Sequence, residues 1–267
     1  MNVRVFSSLC PIHRETLQRA LGPSENHEWA LFAYPTPLDR DDVAYQRERG
    51  VKVAAFWIGS DAKRLDTDLE YRGGIPSFDA HISVHGRLTD YLKKAGIFAP
   101  VVGFTTRKVL RVAEKREWKI CAIYMPSAKE NFMPEVVRKI VMRCPDVGFV
   151  FYGFNGDLDL PGNAVNLRRV SPEAVSEILS LASCVMRLTK HDGFPQNIIE
   201  AKMMAKNVIS NYPYDGTMYA PGQDDAVQML RDPKTHEADR SFWPARYREN
   251  YGPEVWAQRV RDALACS

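Results

Sequence analysis

The sequence predicts an α/β protein built from two doubly wound, parallel-sheet units. Three observations predict it. Short apolar runs alternate with amphipathic segments along the chain; Val51–Ile58 is a near-continuous apolar run between Gly50 and Gly59; and the alternation breaks once, at a basic stretch, then restarts. A run that is apolar throughout suits a strand buried on both faces of a parallel sheet. Helices between strands supply the crossovers that parallel neighbours require. The 267 residues fit one large domain or two small ones, at roughly 100–200 residues each.

Taken in order, Val3–Phe6 reads as a strand and Ile12–Leu21 as a helix ended by Gly22-Pro23. Trp29–Tyr34 is a strand stopped by Pro35 and Pro37. Asp41 and Asp42 place negative charge where a helix N-terminus favours it, and that helix runs to Gly50. Val51–Ile58, His81–Val84 and Pro100–Gly103 read as strands, with a helix over Leu88–Ala95 closed by Gly96. Arg107–Lys119 holds six basic and two acidic residues, so it reads as an exposed joint or helix. Beyond it the predicted strands are Lys119–Met125, Val147–Tyr152, Ala164–Val170, Cys184–Leu188 and Asn207–Asn211. The predicted helices are Pro134–Cys144, a segment from Ser171-Pro172 to Ala182, and Pro195–Lys206. Ser171 is a natural N-cap, with Pro172 at the first helical position. Trp243–Cys266 divides into two helical pieces at Gly252-Pro253. The expected division is 1–105, 106–242, and terminal helices over 243–267 packing back toward the first domain.

Composition excludes several classes. At 45% apolar the chain has enough hydrophobic surface to offset chain entropy, so it is not disordered throughout. Net charge is +3 from 36 basic and 33 acidic residues, which is not the strong basic excess of a nucleic-acid binder. No apolar stretch approaches the roughly 18 residues of a membrane span, and the first residues lack a signal-peptide core. The five cysteines are far apart without a C-x-x-C spacing, which suits reduced thiols in a cytoplasmic protein.

In open parallel sheets ligands bind at the carboxyl ends of strands, so the loops after strands are where chemistry is expected. The most informative follows the Cys184–Leu188 strand. Thr189–Phe194 contains Lys190, His191, Asp192, Gly193 and Phe194, and Pro195 opens the next helix. The first amides of that helix, including those of Gln196, Asn197 and Ile198, lack intrahelical acceptors. A helix start with a preceding glycine suits an anion, phosphate above all, and Arg187, Lys190 and His191 add positive charge. Glu200 stands among Ile198, Ile199, Ala201, Met203 and Met204. A carboxylate there is costly unless paired or hydrogen-bonded; vicinal ribose hydroxyls would satisfy it, and Asp192 could meet sugar hydroxyls. The plainer reading makes Asp192 a loop residue and Glu200 a helix-edge residue.

The whole phrase K-H-D-G-F-P followed by E-A-K-M-M-A-K-N-V-I-S resembles the donor-binding segment of glycosyltransferase family 4. Trp118–Met125 with Pro126, then Pro134–Val137 and C-P-D-V-G-F-V-F-Y-G ending at Gly153, resemble the start of the same half, so the likeness covers about residues 118–212. Asp192 stands where the family usually has Glu. Pro126 stands near the family's diphosphate-gripping Arg, Lys129 is the candidate for the accompanying Lys, and Arg169 takes the place of an expected glycine. In the first half, Trp57-Ile58-Gly59-Ser60-Asp61 resembles the W-x-G-[ST]-D of one family branch. There Asp61 either orients an acceptor hydroxyl or caps the following helix.

The resemblance implies a GT-B glycosyltransferase: two Rossmann-like domains facing a cleft, with a nucleoside-diphosphate sugar on the second and an acceptor on the first. It implies retention of configuration and no metal. The residues implied to hold the donor are Lys129, Arg187, Lys190, His191, Gly193, Phe194, Pro195, Asn197 and Glu200, with Asp192, Asp61 and Glu200 in the chemistry. The donor is a substrate, and no separate cofactor is expected. The acceptor is a glycan, lipid or small molecule; a modified base in DNA is an alternative, as is a non-catalytic sugar-nucleotide binder. A homo-oligomer is compatible with the short first half. His81 and His85 share a metal-like spacing, but the segment between them reads as strand and no third ligand is evident.

Overall fold

The computed structural model describes residues 1–7, 11–23, 25–103, 118–127, 130–192 and 195–267. The chain divides into two compact units, Met1–Thr106 with Asn250–Ser267, and Arg107–Glu249.

The first unit contains β1 (Val3–Phe6), α1 (Pro11–Leu21), β2 (Trp29–Ala33), α2 (Arg40–Glu48), β3 (Lys52–Trp57), α3 (Ser60–Thr67), α4 (Leu69–Gly74), β4 (Ala80–Ser83) and α5 (Gly86–Lys94). Its four strands are parallel, in the order β1-β2-β3-β4. The strand expected at Pro100–Gly103 reduces to one bridge, Val101 beside Ser83, and Gly103 turns the chain at φ 76°. Successive strand residues point to opposite faces. Leu31 and Ala33 therefore join a core with Trp57 and Ile82, while Ala30 and Phe32 join another with Val43 and Val53. The open edge of β1 is closed from α1. Gln18 Oε1 accepts from the Val5 amide at 2.8 Å, and Gln18 Nε2 donates to the Val3 carbonyl at 3.2 Å, which blocks pairing with another chain.

The second unit contains β5 (Ile120–Tyr124), α6 (Pro134–Arg143), β6 (Gly148–Tyr152), β7 (Ala164–Asn166), α7 (Pro172–Leu181), β8 (Cys184–Arg187), α8 (Gln196–Met203), β9 (Asn207–Ser210), β10 (Met218–Tyr219) and α9 (Gln223–Arg231). Its six strands are parallel, in the order β10-β9-β8-β5-β6-β7. Cys121 and Ile123 face a core with Val137, Ile140 and Phe149; Ala122 faces the other side with Val185, Ile198 and Val208. The Ser171 hydroxyl caps α7 by accepting from the Ala174 amide. Lys206 closes the far end of α7, donating to the Ser180 and Ala182 carbonyls at 3.2 and 2.6 Å, where a cation also meets the negative end of the helix dipole.

The last two helices, α10 (Trp243–Tyr251) and α11 (Pro253–Ala265), divide between the units rather than both docking on the first. From α10, Tyr247 donates to the Asp215 carbonyl at 2.8 Å and Arg248 to the Met203 carbonyl at 2.6 Å, both in the second unit. From α11, Trp256, Ala257, Val260 and Leu264 enter the core of the first, and Trp256 Nε1 donates to the Gly103 carbonyl at 3.2 Å. The Gly252-Pro253 break lets one apolar stripe serve each unit. Among the described residues no helix is long and apolar enough to cross a membrane.

Candidate functional site

In the second unit β5 lies between β6 and β8. The chain winds outward from β5 through β6 to β7, then returns to the other side of β5 and winds outward again through β8, β9 and β10. Ligands of open parallel sheets bind at such a reversal, outside the carboxyl ends of the strands. Two loops meet there, the one after β5 and the one after β8. The strands of the first unit run in chain order, so that sheet has no reversal among the described residues.

The loop after β8 is held from both sides. Asn211, at the end of β9, accepts from the Thr189 amide through Oδ1 at 3.1 Å and donates from Nδ2 to the Thr189 carbonyl at 2.8 Å. Asn131, after β5, accepts from two successive amides: its carbonyl takes Lys190 N–H at 2.8 Å and its Oδ1 takes His191 N–H at 3.0 Å. Tyr212 donates its hydroxyl to the Lys190 carbonyl at 2.5 Å. The loop after β5 carries its own strain, because Met133 adopts left-handed φ 48° immediately before Pro134, a conformation non-glycine residues seldom occupy.

Arg187 and Asp192 close the base of the β8 loop. Arg187 Nε and Nη2 donate to the two Asp192 carboxylate oxygens at 2.9 and 3.1 Å, a bidentate pair with both side chains more than nine-tenths buried. The guanidinium also lies 5.7 and 5.4 Å from the Tyr124 and Phe132 ring centroids. Its Nη1 is buried and has no partner among the described residues; neither do Thr189 Oγ1 and Asn197 Nδ2. Three buried polar atoms thus stand unsatisfied on one strand–loop–helix segment, where such groups normally find partners.

The other expected site residues fall out as follows. Pro195 is the residue before α8 and its ring provides no side-chain cap. The Ile198 amide already donates to the Pro195 carbonyl at 3.1 Å, so of the three amides expected at the helix start this one is occupied. Glu200 is buried and accepts from Gln196 Nε2 at 3.2 Å. Lys190 is exposed and ion-paired with Glu130, a partner sequence reasoning did not find, and the His191 side chain is exposed. Lys129, Gly193 and Phe194 lie outside the described residues, as does most of the basic stretch Arg107–Lys119.

Asp61 is in the first unit. Its two oxygens accept from the Ile58 amide at 3.1 Å and the Gly59 amide at 2.6 Å, so the carboxylate locks the turn between β3 and α3. Burial pushes its pKa up, against the pull of those amides. The expectation that it orients an acceptor meets a side chain 4% exposed and occupied by its own turn. His81 is likewise engaged: its Nδ1 accepts from Trp57 Nε1 at 3.2 Å, and burial lowers its pKa. Among the described residues no three His, Cys, Asp or Glu side chains are grouped to hold a metal ion.

Asn131, Asn211, Tyr212 and Glu130 escaped the sequence reading, as did Lys202. Lys202 is fully buried in α8, donating to the Gly216 carbonyl at 2.7 Å and ion-paired with Asp239. No local sequence signal marks the asparagines: Asn211 is the first residue after β9, and Asn131 lies seven residues after β5.

The sequence matches no family model and no curated protein. Solved structures do match. Sucrose-phosphate synthase from Thermosynechococcus elongatus is similar at 14% identity and a TM-score of 0.66, over 90% of this chain and 74% of that one. HepE of Anabaena, solved in complex with UDP-glucose, is similar at 9% identity and a TM-score of 0.65, over 97% and 83%. A TarM variant from S. aureus, solved with fondaparinux, alpha-GlcNAc-glycerol and UDP, is similar at 12% identity and a TM-score of 0.61, over 88% and 55%. The chain thus spans little more than half of TarM. The fold is that of the GT-B glycosyltransferases; identities this low speak for the fold and not for the reaction.

Proposed function

We propose that the chain is a glycosyltransferase that moves a sugar from a nucleoside-diphosphate sugar to an acceptor hydroxyl. The observation that carries this reading is Arg187: buried, beside two aromatic rings, at the sheet's point of reversal, with Nη1 unpartnered among the described residues. A buried donor left unsatisfied costs about 1–3 kcal/mol, more when charged. A phosphate oxygen would remove that cost and is the acceptor guanidinium groups match best. The start of α8 is adjacent in the chain and favours the same anion. Lys190 adds a second positive charge once it exchanges Glu130 for phosphate.

In the proposed reaction the bond between the anomeric carbon and the diphosphate oxygen breaks, and one forms from the acceptor oxygen to that carbon. The negative charge develops on the leaving diphosphate, where Arg187, Lys190 and the first α8 amides stabilise it. The acceptor's proton passes to a phosphate oxygen of the leaving group. Asp192, oriented by Arg187, holds sugar hydroxyls, and Glu200 holds the ribose. The family resemblance of residues 118–212 supports retention of configuration and a reaction without metal. The acceptor is a glycan, lipid or small molecule.

Calorimetry of the whole chain against a panel of nucleoside diphosphates and their sugars tests this. One donor is expected to bind, and Arg187→Met to weaken it about 10–100-fold, the range for losing a charged hydrogen bond of 1.5–3 kcal/mol. Arg187→Lys keeps the charge but not the planar fork, and is expected to recover only part. A wild-type chain that binds no donor, or an Arg187→Met variant that binds as well as wild type, would refute the reading.

A further inference from the structure

Three consecutive residues of the β8 loop, Thr189, Lys190 and His191, have their main chains fixed by side chains and carbonyls from two other loops. Asn211 takes both polar groups of the Thr189 main chain. Asn131 takes the next two amides, one with its own carbonyl and one with its side chain. Tyr212 takes the Lys190 carbonyl between them. Five hydrogen bonds of 2.5–3.1 Å therefore converge on three residues, and the next residue is Asp192. A surface loop ordinarily satisfies its main chain with water. One pinned this way has lost its freedom before any ligand arrives, as positioned reacting groups require.

We infer that Asn131 and Asn211 are positioning residues for the transfer reaction: by pinning the main chain of 189–191 they set where Asp192 stands relative to the donor sugar. The inference rests on the donor reading above and deepens it. The two asparagines act at different points. Asn211 copies a strand neighbour and continues the β8–β9 pairing past Arg187 and Ser210 to Thr189. Asn131 ties the β8 loop to the loop after β5 across the point of reversal. Arg187, on the strand, and the first turn of α8 lie outside the pinned segment. Arg187 meets the pinned segment only through Asp192, and its backbone is fixed by β8, so grip on the nucleoside diphosphate depends on the pinning less than placement of the sugar does.

That difference is what the experiment reads. In Asn131→Ala and Asn211→Ala, kcat for transfer or donor hydrolysis is expected to fall about 10–100-fold, the scale of a misplaced reacting group. The Kd for the nucleoside diphosphate alone should stay within about 5-fold, the rim contribution of Lys190. Asn131→Asp keeps an oxygen for the His191 amide and should restore most of the rate. Equal losses in kcat and nucleotide affinity, full activity in both alanine variants, or failure of Asn131→Asp to exceed Asn131→Ala would each overturn the positioning role. A wild-type chain that neither binds nor turns over any sugar nucleotide overturns the donor reading instead, and the inference with it.

Discussion

Replacing Lys202 by Met tests what holds α8, and with it the site, in place. Lys202 has no solvent exposure, and its ammonium meets the Asp239 carboxylate and the Gly216 carbonyl. Asp239 has a side chain 9% exposed and also accepts from the Ser241 amide at 2.9 Å. Burial pushes the Asp239 carboxyl up, but Lys202 and Ser241 more than offset it, and the net pKa lies below the usual value. Removing the ammonium takes away the larger offset to burial, leaves only Ser241 against it, and strands a buried carboxylate, at about 3–5 kcal/mol. A second route gives the same scale. If Asp239 escapes by taking a proton, at pH 7 it does so about three units above the usual carboxylate pKa near 3.9, at about 1.4 kcal/mol per unit, or ~4 kcal/mol. The pH dependence follows in sign. In wild type the depressed pKa contributes stability above pH ~4 that is lost as pH falls through the folded pKa. In Lys202→Met the Asp239 pKa moves up from its wild-type position, so the stability this carboxylate contributes above pH ~4 shrinks. The deficit against wild type is thus larger at pH 7 than at pH 4. Urea unfolding followed by circular dichroism at both pH values reads this. A deficit below about 1 kcal/mol at pH 7, or one that grows on acidification, would refute the reasoning.

Trp256→Ala empties the centre of the first unit's core, where the indole is 1% exposed and packs 5.8 Å from the Phe56 ring. It is expected to cost about 3–5 kcal/mol, read as a lower urea midpoint, with the nucleoside-diphosphate affinity of the folded chain unchanged. Glu130→Gln releases Lys190 from an ion pair whose side chains are 45% and 84% exposed. Pairs that exposed contribute at most about 1 kcal/mol, so donor affinity is expected to rise about 2–5-fold by calorimetry at low salt, and the gain to shrink at high salt.

The elements the sequence made legible are those whose signal is local. The β3 run is apolar because both its faces are covered, and α7 announces itself through Ser171 and Pro172. Residues 212–242 carry no clear pattern in the sequence although they hold β10 and α9. The two residues of β10 show no periodicity, and α9 presents only Ala226, Val227 and Leu230 to the core among charged neighbours. Arg187, Asp192, Pro195 and Glu200 were legible together because they are contiguous in the chain. Asn131 and Asn211 reach the same loop only because β8 pairs with β5 on one side and β9 on the other. That adjacency belongs to the topology and leaves no local trace. Lys202 was hidden for another reason: α8 is covered on every side, so a lysine within it looks in sequence like the solvated face the helix does not have.

The strand orders of the two sheets distinguish the two units physically. A parallel sheet acquires a ligand crevice at its carboxyl edge where consecutive crossovers leave in opposite directions, because only there do the two loops part. The second sheet has that reversal between β5 and β8; in the first, β1 to β4 follow one another in chain order. Its edge strand β1 is sealed by Gln18, and the one carboxylate its sequence offered, Asp61, is occupied by its own turn. The described groups proposed for donor binding therefore all belong to the second unit.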